Sequence, residues 1–201
     1  TAIEPSVLAE ISRDIVAENA HRRERGERPI FLMFDQVYWS LEFGRMEPVT
    51  PPGLVPEVAP YTVMLDAISK SLAATGLRVG WSVAAPAVTQ RMSDLLGHVG
   101  AWAPKAEQVA TAAFLDDGAS FKTFRLEMHR RLRERLELLF RGFTAMRERG
   151  LPVEAVEPEG TLYLSARFDL FGRNVGGSEI RTNEEIRRLL LEGAGVAVVP
   201  F

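Results

Sequence analysis

Apolar and polar positions change period several times along the chain, and each change marks an element. From Glu4 to about Arg25, the residues Val7, Leu8, Ile11, Ile15 and Val16 recur at helical spacing. Pro5 suits the first turn of such a helix, where its missing N–H is not needed. Ile30 to Phe34 is an unbroken apolar run ending at Asp35, the pattern of a strand covered on both faces, as in parallel sheets. Pro48, Pro51, Pro52, Gly53, Pro56 and Pro60 then predict a long loop, because proline disrupts helix interiors and central strands alike. A second apolar run, Tyr61 to Leu65, leads through Asp66, Ala67 and Ile68 to Ser69 and Lys70, and Val79 to Ala84 forms a third, closed by Pro86.

Beyond Pro86 the period becomes helical, over about 87–96, 104–114 and 120–149. The last stretch carries Phe121, Phe124, Met128, Leu132, Leu136, Leu139, Phe143 and Met146 at steps of three or four, one stripe of a helix. At about 1.5 Å per residue it spans roughly 45 Å, enough to leave one domain and enter another. Gly150 and Pro152 end it. A short α+β segment follows: a strand over 161–168, a glycine-rich loop over 172–177, a helix over 183–191 and a last strand from Gly195 to Phe201.

Composition narrows the possibilities. The 201 residues are 46% hydrophobic and 25% charged, which suits a globular protein and excludes a disordered or collagen-like chain. Lys and Arg number 24 against 27 for Asp and Glu, a net charge of −3, so no global basic field exists to hold nucleic acid or an anionic membrane. Cysteine is absent, which removes disulfide frameworks, thiolate zinc sites and cysteine nucleophiles, and fits a cytoplasmic location. No run approaches the roughly 18 apolar residues of a membrane span. His21, His98 and His129 lack metal-ligand spacing, and each reads as a surface or helix-packing residue. The basic run from His129 to Arg135 is interleaved with leucine and glutamate, the mark of a solvated helix face. Trp39, Trp81 and Trp102 read as core residues.

Lysine occurs only at positions 70, 105 and 122. Lys70 stands apart because it closes an apolar strand, and in open α/β sheets ligands bind beyond the carboxyl ends of strands. Asp35 occupies the equivalent place on the preceding strand. If both strands share a sheet, an acid and an amine meet at one edge. A dehydrated lysine loses charge and becomes a nucleophile suited to carbonyl chemistry; the competing reading is a strand-end salt bridge between Asp35 and Lys70. Arg78, between Gly76 and Gly80, adds a planar fork suited to phosphate. Neither a Walker loop nor a dinucleotide fingerprint follows a strand.

Together, Asp35 and Tyr38, then Ser69 and Lys70, then Gly76-x-Arg78-x-Gly80 resemble the fold-type-I pyridoxal-phosphate enzymes, and among them the class I/II aminotransferases. The resemblance covers nearly the whole chain. It implies an α/β fold with a mostly parallel sheet flanked by helices, part of a cofactor-binding large domain over 1–125. The long linking helix and part of a smaller α+β C-terminal domain would occupy 126–201. It further implies that Lys70 forms an imine with the aldehyde of pyridoxal 5′-phosphate and then shuttles a proton. Asp35 would pair with the pyridine nitrogen and Tyr38 with the ring hydroxyl oxygen, while Ser69 and Arg78 hold the phosphate. Ala67 stands where many relatives place a further serine ligand. Other family site residues would lie before Thr1 or after Phe201, so the expectation is the middle and later part of a larger enzyme. The activity implied is transfer of an amino group between an amino acid and a 2-oxo acid by a homodimer. A lyase or acyltransferase on the same fold, a regulatory sensing domain, and an interaction module built on the 120–149 helix are the alternatives.

Overall fold

The computed structural model describes residues 3–42 and 49–201; Pro48, part of the expected proline-rich loop, lies outside them. The chain divides into two compact units, Thr1–Glu134 with Glu159–Leu162, and Arg135–Pro158 with Tyr163–Phe201. The division falls inside the long helix over 118–148.

In the first unit, helix α1 (Pro5–Glu24) starts with proline in its first turn. It buries Leu8, Ser12 and Asn19 along one line, while Val7 and Ile11 of the apolar stripe stay exposed. The Asn19 side chain then takes both backbone groups of Ile30, donating to its carbonyl at 2.9 Å and accepting from its N–H at 2.8 Å. This bond pair ties the approach to strand β1 (Leu32–Asp35) against the helix.

The proline-rich stretch is not irregular throughout. Pro51–Leu54 forms a single α-turn, α2, and Pro56–Tyr61 a 3-10 turn. Both begin on proline, which a first turn accepts, and Thr50 Oγ1 caps α2 by accepting from Gly53 N–H at 3.2 Å. Both turns pack on α1, burying Pro51, Val55 and Val58.

Strand β2 (Thr62–Ala67) runs parallel to β1, pairing Leu32 with Thr62 and Asp35 with Leu65. Strand β3 (Gly80–Val83) lies on the other side of β2, but antiparallel, with Ala67 opposite Gly80. The sheet is therefore mixed where a mostly parallel one was expected. The reason lies in the connection: residues 68–79 form the one-turn helix α3 (Ile68–Ser71) and a 3-10 turn at Thr75–Leu77. Ala73 and Arg78 adopt positive φ there, so the chain reverses on itself instead of crossing the sheet face. Helices α4 (Pro86–Val99) and α5 (Lys105–Asp116) follow. The long helix α6 (Gly118–Glu148) begins on an Asp117 cap that accepts from Ser120 N–H at 3.1 Å. Phe114 meets Phe121 and Phe124 edge-on at this corner.

In the second unit, β4 (Val153–Ala155) pairs antiparallel with β5 (Ala166–Phe168), so the expected 161–168 strand shrinks to its last residues. Asn174–Val175 and Ser178–Glu179, strands β6 and β7, form a hairpin turned by Gly176 and Gly177, both at positive φ. Helix α7 (Asn183–Ala194) opens with a capping box between Thr182 and Glu185. The expected final strand has no ladder partner among the described residues: 195–201 has no regular secondary structure, with Val199 and Phe201 exposed. Among the described residues, no helix is long and apolar enough to cross a membrane.

Candidate functional site

Parallel pairing of β1 with β2 brings the carboxyl end of β1 level with Leu65, two positions before β2 ends at Ala67. Antiparallel pairing of β3 brings its start, Gly80, level with Ala67 at the end of β2. Asp35, the Ser69–Lys70 pair and Arg78 therefore gather at one end of the sheet, though they lie far apart in sequence.

Asp35 is exposed and closes β1; its Oδ1 accepts from Val37 N–H at 3.1 Å, so one carboxylate oxygen fixes the turn that follows. Tyr38 caps the 3-10 turn Trp39–Leu41 and is half-buried. That turn packs against α3, which carries Ser69 and Lys70. Both residues are half-buried. No ion pair within 4.0 Å joins Lys70 to Asp35 among the described residues, so the strand-end salt bridge is not formed.

Arg78 sits in the left-handed region at φ 58° and is exposed. Its Nη1 donates to Thr75 O at 2.9 Å, and Thr75 Oγ1 donates to Ser69 O at 2.8 Å. Thr75 thus staples the arginine loop to the helix that bears Lys70, a link with no signal in the residue pattern. The two flanking glycines do not play the same part. A Cβ on Gly80 would meet Asp66 O at 3.0 Å and the Ala67 Cβ at 3.1 Å, whereas one on Gly76 would meet nothing within 4 Å. The absence of a Cβ at Gly80 thus permits the close approach of β3 to β2 at this end of the sheet.

Asp66 is 8% exposed. Its Oδ1 accepts from Ala67 N–H at 2.7 Å and its Oδ2 from the Trp39 indole N–H at 2.8 Å. Burial pushes its pKa above the usual carboxylate value, only partly opposed by hydrogen bonds from Ala67, Trp39 and Gln36, and the Asp35 charge adds to the rise. The Arg125 guanidinium of α6 lies 5.7 Å from the Trp39 ring centroid, and His129 Nε2 contacts the Ser40 carbonyl. Of the three tryptophans expected in the core, Trp39 is half-buried, whereas Trp81 and Trp102 are exposed. Among the described residues, no cluster of three or more His, Asp or Glu side chains could hold a metal.

A family model described as aminotransferase class I and II matches residues 25–201. An aspartate aminotransferase of Streptomyces avermitilis is 30% identical over 89% of this chain and 42% of its own length. A probable aspartate/prephenate aminotransferase of Aquifex aeolicus is 31% identical over 87% of this chain and 42% of its own. The crystal structure of the Rhizobium meliloti aspartate aminotransferase superposes with a TM-score of 0.74 at 26% identity, covering 86% of this chain and 42% of that one. The chain thus spans about two fifths of the length of these relatives. With a match running through the three-stranded sheet, the sheet-end cluster and both compact units, the chain belongs to the class I and II aminotransferase family.

Proposed function

We propose that this chain is the lysine-bearing part of a pyridoxal 5′-phosphate-dependent aminotransferase that moves an amino group between an amino acid and a 2-oxo acid. The observation that carries the reading is the sheet register, which gathers an amine, a carboxylate and a guanidinium at one strand end. The donor set suits the cofactor. Among the described residues Lys70 has no ion-pair partner, Asp35 commits Oδ1 to its own turn, and Arg78, an exposed residue, is anchored through Nη1.

The chemistry supplied by bound pyridoxal phosphate is an electron sink for the carbanion left when a substrate α-proton departs. In this reading Lys70 Nζ would hold the cofactor and serve as the base that takes up and returns that proton. Asp35 would keep the pyridine nitrogen protonated, and Tyr38 would donate to the ring oxygen. Arg78 supplies the counter-charge for the phosphate, seconded by the Ser69 hydroxyl. The working unit in this reading is a homodimer.

Borohydride reduction of the complete protein with pyridoxal 5′-phosphate, followed by peptide mass mapping, tests the assignment. A cofactor-sized adduct on Lys70, absent in Lys70→Ala, is the expected result; an unmodified Lys70 at saturating cofactor would remove it. Release of a 2-oxo acid that requires an added acceptor keto acid separates amino transfer from elimination on the same fold.

A further inference from the structure

Asp66 is a buried carboxylate that the proposed chemistry leaves unused. Burying a carboxylate is unfavourable unless donors converge on it, and the origin of its donors is informative. Ala67 N–H comes from its own strand. The Trp39 indole and the Gln36 side chain both come from the turn that follows Asp35.

The register decides what Asp66 can reach. Asp35 lies opposite Leu65, and side chains alternate along a strand, so Asp66 belongs to the face opposite that of Asp35. It pairs across with Trp81 rather than entering the Asp35 face. From the other side, Arg125 covers the Trp39 ring and His129 engages the Ser40 carbonyl. These two residues are one turn apart on α6, so the 36–41 turn is gripped between β2 and the long helix.

We propose that Asp66 is a positioning residue: by holding Trp39 and Gln36 it fixes the turn that carries Tyr38 and orients Asp35 toward the Lys70 end of the sheet, with Arg125 and His129 as the outer clamp. Trp39 directly follows Tyr38, so an indole free to swing would move the phenol with it. This inference rests on the cofactor reading given above.

The test uses the complete protein as wild type, Asp66→Asn, Trp39→Phe and the double variant, each titrated with pyridoxal 5′-phosphate. Trp39→Phe removes the indole N–H and keeps an aromatic ring beneath Arg125. Three quantities are read: the cofactor dissociation constant, the pH midpoint of the visible absorbance band of the lysine-bound cofactor, and the thermal midpoint of the protein. Each single variant is expected to weaken cofactor binding about tenfold, the order of one lost buried hydrogen bond, and to displace the absorbance midpoint. The double variant should lose less than the sum of the singles, because the indole bond removed by Trp39→Phe is among the contacts that Asp66→Asn disturbs. A folded variant with wild-type affinity and absorbance midpoint, or losses that add in the double, overturns the positioning role, even if the thermal midpoint falls. Should Asp66→Asn fail to fold, Trp39→Phe decides alone. Absence of an adduct on Lys70 in the wild type overturns the cofactor reading itself; an adduct with unaffected variants overturns only the inference about Asp66.

Discussion

Asn19 shows how one side chain can replace a strand partner. Its amide donates to and accepts from Ile30, as a neighbouring peptide group would, while only 2% exposed. Asn19→Ala strands both backbone groups of Ile30, and each unsatisfied buried group costs about 1–3 kcal/mol. Urea unfolding should therefore show a loss of about 2–3 kcal/mol; a loss near zero would mean that water replaces the amide. Asp66 adds a pH dependence whose sign follows from its raised pKa. A carboxylate that holds its proton more tightly when folded contributes stability that is full below the usual carboxylate pKa. That contribution fades as pH rises through the raised value. Relative to Asp66→Asn, the wild type should be most favoured in acid and lose ground toward neutrality. A stability difference independent of pH would contradict the assignment.

At the scale of elements, a strand exists only where a partner accepts it. The apolar runs before Asp35 and Lys70 became strands because they pair with each other. The equally apolar run after Gly195 did not, because no described segment pairs with it. Close approach matters as much as pairing. Gly160 forms an isolated bridge with Glu42, and a Cβ there would sit 2.9 Å from Glu42 Cα and 3.1 Å from Leu41 O. Backbone atoms cannot step aside as a flexible side chain would. Gly160→Ala should destabilise by about 1–3 kcal/mol through overpacking. It should also loosen the adjacent bond from Thr161 N–H to Leu41 O, 3.1 Å in length. Thermal denaturation and hydrogen exchange at Thr161 measure the two effects.

At the scale of the whole molecule, the proposed roles separate binding from chemistry. In the complete enzyme, Arg78→Ala should weaken cofactor retention more than it slows turnover, because it removes a counter-charge without touching the reacting atoms. Asp35→Asn should do the reverse, keeping cofactor bound while turnover collapses, since an amide does not hold the pyridine nitrogen protonated. Equilibrium dialysis against pyridoxal 5′-phosphate with steady-state kinetics distinguishes the two. Equal effects of both changes on affinity and rate would merge the roles. The placement of Asp35, Lys70 and Arg78 near strand ends was legible in the sequence because each stands close to where an apolar run stops or starts, whereas the proposed roles of Tyr38 and Ser69 came from the family resemblance. Thr75, Trp39 and Arg125 were not, because their parts depend on a loop staple, a buried carboxylate and a distant helix coming together.

The sequence by itself determined the longer helices and the strand-forming runs, since hydrophobic period is a local property, and the family resemblance supplied the candidate chemistry. The direction of β3, the face on which Asp66 lies and the want of a partner for the last apolar run were decided by tertiary structure alone. Each depends on which backbone groups meet which others. A side-chain period of two places a residue on one face or its opposite, and only a register between strands says which of those faces carries Asp35.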